Sequence, residues 1–292
     1  MEPLGNQKRV HTGIASKEEE MKIGFLQLEP VLGDIQATIQ RIDGLIRRCE
    51  ACDLVVLPEL CNSGYNFRSH EQAWETSEEI KDSIFIEYLT SACKALHMHI
   101  VSGFNEREGD VLYNTAVLIG PHGFIGSYRK LHLFKNEKDH FRPGDKGLPV
   151  FTIGSYTIGM LICFDWIFPE VWRVMALKGA DIICHPSNLV IPGLAQRGIP
   201  IHALINRVYV ITANRIGIEG DLSFTGLSII VNPKGETLVQ ASPTGEEIGI
   251  ADIDIGMARD KMFTEKNDLF RDRRPEEYTL LTERIVESGE IG

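Results

Sequence analysis

The sequence of 292 residues lacks any apolar run close to the roughly 18 residues that a membrane-spanning helix needs. It also lacks a long basic block, and its 30 Lys and Arg against 41 Asp and Glu leave a net charge of −11. We therefore predict neither a membrane nor a nucleic acid as partner. The polar residues 1–20 contain no apolar segment of a secretory signal. We expect them to form a disordered tail, with Met21 a candidate natural start.

The six cysteines show no spacing typical of a disulfide framework, and a chain of this size does not need one. Cys49 and Cys52 form a C-x-x-C, but no second pair of cysteines or histidines accompanies it to complete a zinc site. We expect one of these two thiols to be packed and the other partly exposed. Reduced cysteines throughout fit a cytoplasmic location.

What the chain does contain is an alternation of strand and helix patterns from residue 22 onward, at 43% hydrophobic and 24% charged residues. The first half reads strand (KIGFLQL), helix capped by Asp34, strand (DLVVLPE), helix (78–97), strand (HIVSGFNE) and hairpin (YNTAVLIG, FIGSYRKL). The second half reads strand (TIGMLICF), helix (169–179), strand (DIICHPS), helix (194–208), strand (VYVITANRI) and hairpin (TGLSIIVNPKGETLVQA). Two similar halves of this kind predict an α/β fold with four layers, an α/β/β/α sandwich with its sheets face to face. Beyond 256 we expect helix, ending in the amphipathic segment PEEYTLLTERIVE.

The stretch YTIGMLICFDWIFPE, residues 156–170, combines a strand, a turn and a helix start. Its apolar run ends at Cys163, and Pro169 suits the first turn of a helix. A cysteine at this place lies at the carboxyl end of a buried strand, where α/β sheets bind their ligands. Free backbone N–H groups there can bind an anion. This is the arrangement of a nucleophile with its own oxyanion hole.

Three charged residues complete a candidate site. Glu59 ends an apolar strand, where a carboxylate is costly unless it is paired or functional. Lys130 lies among apolar residues in GSYRKLHLF, and the loop KNEKDHFRPGD that follows contains Glu137. Each has an ordinary alternative: a helix cap for Glu59, a surface charge for Lys130, a solvated charge run for Glu137 and a buried structural thiol for Cys163. One site explains all four residues at once, whereas the four alternatives would each have to apply independently.

The segments VVLPEL, YRKLHLF with EKDHFRPGD, and ICFDWIFPE, together with HPSN and TANR, occur in the order found in the carbon-nitrogen hydrolases, the nitrilase superfamily. The chain resembles this family over roughly residues 22–270. The resemblance implies an α/β/β/α sandwich that forms a homodimer or a larger homo-oligomer. It also implies a Glu-Lys-Cys triad, no metal and no organic cofactor. We assign residues 21–270 to the hydrolase domain and residues 271–292 to a helical extension able to pack on a partner subunit.

Carried over by position, the resemblance makes Glu59 the general base, Lys130 the oxyanion partner and Cys163 the nucleophile, with Glu137 holding the lysine and substrate. The chemistry agrees, because a thiol near neutral pH needs an adjacent base before it can attack an amide.

The remaining candidates near the motifs are residues of the pocket and of the turn. Tyr65, Trp166 and Asn188 are candidate pocket walls, and the backbone N–H of Phe164 is a second oxyanion donor. Asp165 is expected to hold the turn rather than react. We interpret the histidines near the motifs as packing or hydrogen-bonding residues: His132, His140 and His185.

Residues next to the nucleophile indicate the reaction. Nitrile-cleaving members of the family tend to carry Cys-Trp-Glu, whereas this chain has Cys-Phe-Asp-Trp, closer to amidases and carbamoyl-amine hydrolases. Ile167 stands where several dicarboxylate-amide hydrolases have arginine. We predict hydrolysis of small linear amides or N-carbamoyl amines with release of ammonia, through a thioester or carbamoyl intermediate on Cys163. The alternatives are a nitrilase for small aliphatic nitriles and a non-catalytic binding member of the family.

Overall fold

The computed structural model describes residues 20–283 and contains two six-stranded sheets. The predicted tail therefore lies outside the described residues except for Glu20. The strands are β1 Glu20–Gln27, β2 Leu54–Val56, β3 His99–Glu108, β4 Val111–Gly120, β5 Gly123–Arg129, β6 Val150–Ile153, β7 Tyr156–Met160, β8 Ile182–Ser187, β9 Tyr209–Asn214, β10 Ile218–Glu219, β11 Leu222–Ser223, β12 Ile229–Val231, β13 Thr237–Gln240, β14 Glu247–Asp254, β15 Met262–Thr264 and β16 Asn267–Asp268. The α-helices are α1 Ile35–Ile46, α2 His70–Glu75, α3 Ile84–Leu96, α4 Glu137–His140, α5 Pro169–Leu177, α6 Leu194–Asn206 and α7 Gly256–Arg259.

The two sheets repeat one topology. The first runs β14-β1-β2-β3-β4-β5 and the second β6-β7-β8-β9-β12-β13. In each, three parallel strands (β1, β2, β3 or β7, β8, β9) are followed by an antiparallel hairpin and preceded by one antiparallel edge strand. The edge strand of the first sheet, β14, comes from the far end of the described chain. The prediction of two similar halves is confirmed.

The layers follow from burial. Parallel strands covered on both faces are apolar nearly throughout, and one core cluster joins Phe25 of the first sheet to Met160 of the second and to Trp172 of α5. A second cluster packs Ile42 of α1 and Leu89 of α3 against the outer face of the first sheet. Helices thus cover both outer faces, and the predicted four-layer α/β/β/α sandwich is confirmed.

Three expectations differ from the structure. The helix predicted over 78–97 begins only at Ile84, because Ser83 caps it and accepts a hydrogen bond from Ile86 N–H. Cys49 and Cys52 are both buried, so neither thiol is partly exposed. After α7 the chain forms the β15–β16 hairpin and two 3-10 turns instead of an α-helix up to residue 283. Short exposed segments of this kind bury too little surface to stabilise a full helix.

Across residues 20–283, the structure contains no helix with the length and apolar character needed to cross a membrane. The rest of the predicted terminal helix PEEYTLLTERIVE, residues 284–287, lies outside the described residues.

Candidate active site

Glu59 is held by a tight approach of two chain segments. Beyond β2, the N–H of Leu57 donates to Val101 O and the N–H of Gly103 donates to Pro58 O. A Cβ on Gly103 would lie 2.3 Å from the Cα of Glu59, so this position of β3 requires glycine. The chain then turns away, and Glu59 is left fully buried where the first sheet faces the second.

Lys130 is fixed at the end of β5. Its N–H donates to Asn114 O at 2.8 Å, and its own carbonyl accepts from the N–H of Gly144 at 2.9 Å. The preceding residue, Arg129, is buried and forms ion pairs with Glu106 at 2.6 Å and Asp145 at 2.9 Å. These contacts anchor the backbone on both sides of the lysine.

Cys163 lies at the predicted strand-turn-helix element. The turn is a single 3-10 helix, Cys163–Ile167, and α5 starts at Pro169 as expected. Cys163 adopts a left-handed φ of 43°, which is unusual for a residue with a Cβ. Its carbonyl oxygen accepts a hydrogen bond from His185 Nε2 at 2.9 Å, which holds the strained residue in place.

Asp165 organises the same turn. It is fully buried, and its Oδ2 accepts from the Tyr128 hydroxyl at 2.8 Å and from the N–H of Ile162 at 3.0 Å. Its Oδ1 accepts from the N–H of His132 at 3.1 Å and lies 2.7 Å from the His132 ring nitrogen Nδ1. Each oxygen of the carboxylate is therefore bonded twice, which suits a structural role.

The charged side chains of the site meet at one ammonium. Lys130 Nζ donates to Glu59 Oε1 at 2.6 Å and to Glu137 Oε1 at 2.8 Å, and the three side chains are 0, 0 and 3% exposed. The Tyr65 hydroxyl donates to Glu137 Oε1 at 2.7 Å, and Asn114 Nδ2 donates to Glu59 Oε1 at 2.7 Å. The second oxygen of Glu59, Oε2, is buried and has no hydrogen-bond partner among the described residues. Since a buried unpaired carboxylate oxygen is costly, this atom is available to a reacting group.

Electrostatics distinguish the members of this cluster. Burial and the Glu59 carboxylate raise the pKa of the Cys163 thiol well above its usual value, against the opposing effects of Lys130 and the N–H of Asn188. Burial and Glu59 also raise the pKa of Glu137 to about 7 although Lys130 opposes this. Burial lowers the pKa of Lys130, but the Glu137 and Glu59 carboxylates outweigh it, and the net shift is upward. The resting site thus contains a neutral thiol beside an ammonium and two carboxyl groups.

Two adjoining cavities give access to the cluster. Cys163 lines a cavity of about 90 Å³, and three of the predicted pocket residues, Phe164, Trp166 and Asn188, line it too. The fourth, Tyr65, lines a more polar cavity of about 260 Å³ together with Glu137. The structure therefore brings all eight predicted site residues to one region.

Sequence reasoning missed Asn114 as part of this site. An asparagine inside the apolar strand YNTAVLIG was the available signal, since a polar residue in such a strand needs a partner. Among the described residues, no group of three or more His, Cys, Asp or Glu side chains is arranged to hold a metal ion.

The fold and the site define the class of protein. A family model described as carbon-nitrogen hydrolase matches residues 22–261, and the chain belongs to this family.

Particular relatives are similar over most of their length. A protein named nitrilase from Pyrococcus abyssi is 46% identical over 260 residues, covering 88% of this chain and 99% of that protein. The N-carbamoylputrescine amidase of Arabidopsis thaliana is 31% identical, with 85% of this chain and 91% of that protein covered. Among solved structures, a mutant amidase from Nesterenkonia sp. AN1 with the acetamide moiety of fluoroacetamide added covalently at its active-site cysteine matches with a TM-score of 0.75. It is 25% identical and the match covers 91% of this chain and 98% of that one.

Proposed function

We propose that this chain hydrolyses the C–N bond of small linear amides or N-carbamoyl amines and releases ammonia. Cys163 is the nucleophile, Glu59 the general base and Lys130 an oxyanion donor, with Glu137 holding Lys130. The observation that carries this proposal is the buried ammonium bonded to two carboxylates beside a buried thiol, with one oxygen of Glu59 left without a partner.

The first half of the reaction forms a covalent intermediate. Because the pKa of the Cys163 thiol is raised, the sulfur attacks as its proton moves to Glu59. The carbonyl oxygen becomes an oxyanion, which the Lys130 ammonium and the backbone N–H of Phe164 stabilise. Glu59 then returns the proton to the departing nitrogen, the C–N bond breaks, and ammonia leaves behind a thioester or carbamoyl group on Cys163.

The second half uses the same groups in reverse order. Glu59, again a carboxylate, takes a proton from a water molecule that attacks the acyl carbon. The tetrahedral intermediate collapses, the C–S bond breaks, and the proton on Glu59 returns to the sulfur. The products are a carboxylic acid, or a carbamic acid in the case of a carbamoyl amine.

A nitrilase activity on small aliphatic nitriles is the second candidate. It is favoured by the 46% identity to a protein named nitrilase. The same thiol can attack a nitrile carbon, so the two activities share all four proposed catalytic residues. The solved amidase that carries the acetamide moiety of fluoroacetamide on its active-site cysteine supports a nucleophilic cysteine in this fold.

The test is ammonia release from a panel of small amides, ureido amines and nitriles. We expect Cys163→Ala to reduce release to background, whereas Cys93→Ala, which removes a buried thiol of α3, leaves it unchanged. Intact-mass spectrometry after iodoacetamide treatment should show one added carbamidomethyl group that is absent in Cys163→Ala. Ammonia release that persists in Cys163→Ala refutes the mechanism. A panel without any turnover, together with no preference for Cys163, favours the non-catalytic alternative.

We also propose that the chain forms at least a homodimer. The outer surfaces of α5 and α6 expose four large aliphatic side chains, Val174, Leu177, Ile201 and Ile205, each between 37 and 55% exposed. Neighbouring exposed apolar side chains of this kind are typical of an interface. Light scattering coupled to a sizing column should give at least twice the 32.7 kDa chain mass, and a monomer at micromolar concentration would refute this.

A further inference from the structure

The cavity beside Cys163 is almost entirely apolar. Apart from Cys163 and Asn188, every residue that lines it has an apolar side chain, and Phe134, Phe164 and Trp166 provide aromatic walls. None of these lining residues carries a charge, so the cavity offers no counter-ion for an ammonium or a carboxylate on a bound molecule.

The cavity is also narrow. Its floor contains Ala195 and Leu189, which are 1 and 7% exposed, and its mouth contains Ile167 and Ile191, which are 46 and 51% exposed. Its volume of about 90 Å³ is well below the roughly 150 Å³ of an apolar cavity known to accommodate benzene. An aliphatic chain of a few carbons fits this space, and an aromatic ring does not.

The polar cavity next to it does not change this conclusion. It contains Glu137, Lys135 and Asp221, but Cys163 is not among its lining residues. Phe134 and Val190 line both cavities and form the wall between them. A group attached to the sulfur therefore occupies the apolar cavity.

We propose that the acyl group of the substrate is short, aliphatic and uncharged, and that the cavity beside Cys163 selects it. This inference rests on the function proposed above and narrows it. An unpaired charge in an apolar lining is strongly disfavoured, which excludes amides and N-carbamoyl amines whose charged end would lie there. Asn188 provides the polar contact on this wall. Its Oδ1 is buried without a partner among the described residues and can accept a hydrogen bond from the NH₂ of a primary amide.

The test compares amides matched in size. We expect kcat/KM to rise about fourfold for each added methylene from acetamide to propionamide to butyramide, from the burial of about one CH₂ each time. The cation β-alaninamide has the shape of butyramide but should react at least 100-fold more slowly. Benzamide should also react at least tenfold more slowly than butyramide. Equal rates for butyramide and β-alaninamide would overturn the proposal.

Variants of Leu194 test the cavity directly. Leu194 is the first residue of α6, where an acid is compatible with the helix dipole. We expect Leu194→Asp to raise the rate for β-alaninamide relative to butyramide at least tenfold, and Leu194→Ala to admit benzamide. The matched control is Leu238→Asp on the edge strand β13, at a residue outside the cavity lining, which should leave both ratios unchanged. Selectivity that does not move in either Leu194 variant contradicts the assignment of this cavity.

A second measurement separates this inference from the proposed reaction. Iodoacetamide and iodoacetate both alkylate a thiolate at a CH₂ group, with iodide as the leaving group. Only iodoacetate carries a charge. At pH 8, we expect the ratio of the alkylation rate with iodoacetamide to that with iodoacetate to be at least tenfold larger for Cys163 than for glutathione. Intact-mass spectrometry measures the labelling of the protein, with Cys163→Ala as the blank. If no amide is hydrolysed but this preference is found, the proposed function fails and the cavity assignment stands. If both reagents label Cys163 as they label glutathione, the cavity assignment fails.

Discussion

Replacing Lys130 by methionine tests both the electrostatic role of the ammonium and the catalytic role proposed for it. Lys130 is fully buried and bonded at 2.6 and 2.8 Å to two carboxyl groups that are themselves buried. Without it, Glu59 and Glu137 face each other with no counter-charge. Removing one partner of a buried ion pair costs about 3–5 kcal/mol, and losing one oxyanion donor costs about 3 kcal/mol, or 100- to 1000-fold in kcat.

The assay measures both quantities on the same proteins. Urea unfolding followed by tryptophan fluorescence gives the free energy of unfolding, and ammonia release gives kcat. We expect Lys130→Met to lose on both scales, with a larger stability loss at pH 8 than at pH 5.5, because the two carboxyl groups can share a proton only at the lower pH. Adding Glu137→Gln should restore part of the stability but none of the activity.

Lys138→Met is the control, since Lys138 is exposed on α4 and should behave as wild type. The reasoning is refuted if Lys130→Met loses less than about 1 kcal/mol of stability, or if its kcat stays within tenfold of wild type.

Three further predictions concern neighbouring residues. The raised pKa of Glu137, about 7 through burial and the Glu59 charge, favours the protonated carboxyl in the folded state. Its contribution to stability is therefore largest below pH 4.5 and is lost as the pH rises through 7. Between pH 5 and 8, the unfolding free energy of Glu137→Gln should therefore rise relative to that of the wild type by up to about 3 kcal/mol. If the two pH profiles of unfolding free energy are parallel, the prediction is wrong. Asp165→Asn places an amide donor among four donating groups, so we expect a loss of about 2–4 kcal/mol in urea unfolding and a lower kcat with little change in KM; a normal kcat would exclude the positioning role. Gly103→Ala brings a Cβ to 2.3 Å from the Cα of Glu59. We expect it to lower the free energy of unfolding by about 1–3 kcal/mol and to remove most of the activity. A thermal unfolding midpoint equal to that of the control Ser102→Ala would contradict this.

The sequence predicts those parts of the site that depend on local pattern. An apolar strand that ends in a carboxylate or a thiol is visible without coordinates, which is why Glu59 and Cys163 were candidates before the structure. Lys130 was predicted because it lies among apolar residues. The residue types indicate which groups could react or carry charge. The family resemblance implies which of them is the base, the oxyanion partner and the nucleophile.

Contacts between distant segments could not be predicted in this way. Asp165 was expected to hold the turn, but its partners Tyr128 and His132 lie over thirty positions away and no periodic pattern connects them. Asn114 of β4 reaches Glu59 by a side-chain hydrogen bond between residues 55 positions apart in the chain, although β3 separates β4 from β2 in the sheet. The region after α7 was expected to be helical because it is charged and contains spaced apolar residues, a signal that exposed 3-10 turns share.

The position of β14 has a consequence for how this chain reaches its native state. The strand pairs with β1 along all eight residues, from Glu20 opposite Asp254 to Gln27 opposite Glu247. During synthesis, the amino-terminal sheet therefore remains one strand short until almost the whole domain has left the ribosome. Its hydrogen-bonding edge is open over that interval to pairing with other chains. The pairing of β14 with β1 closes a loop of more than two hundred residues late in folding. Contacts between residues so distant in sequence form slowly, so slow maturation is an inherent property of this topology.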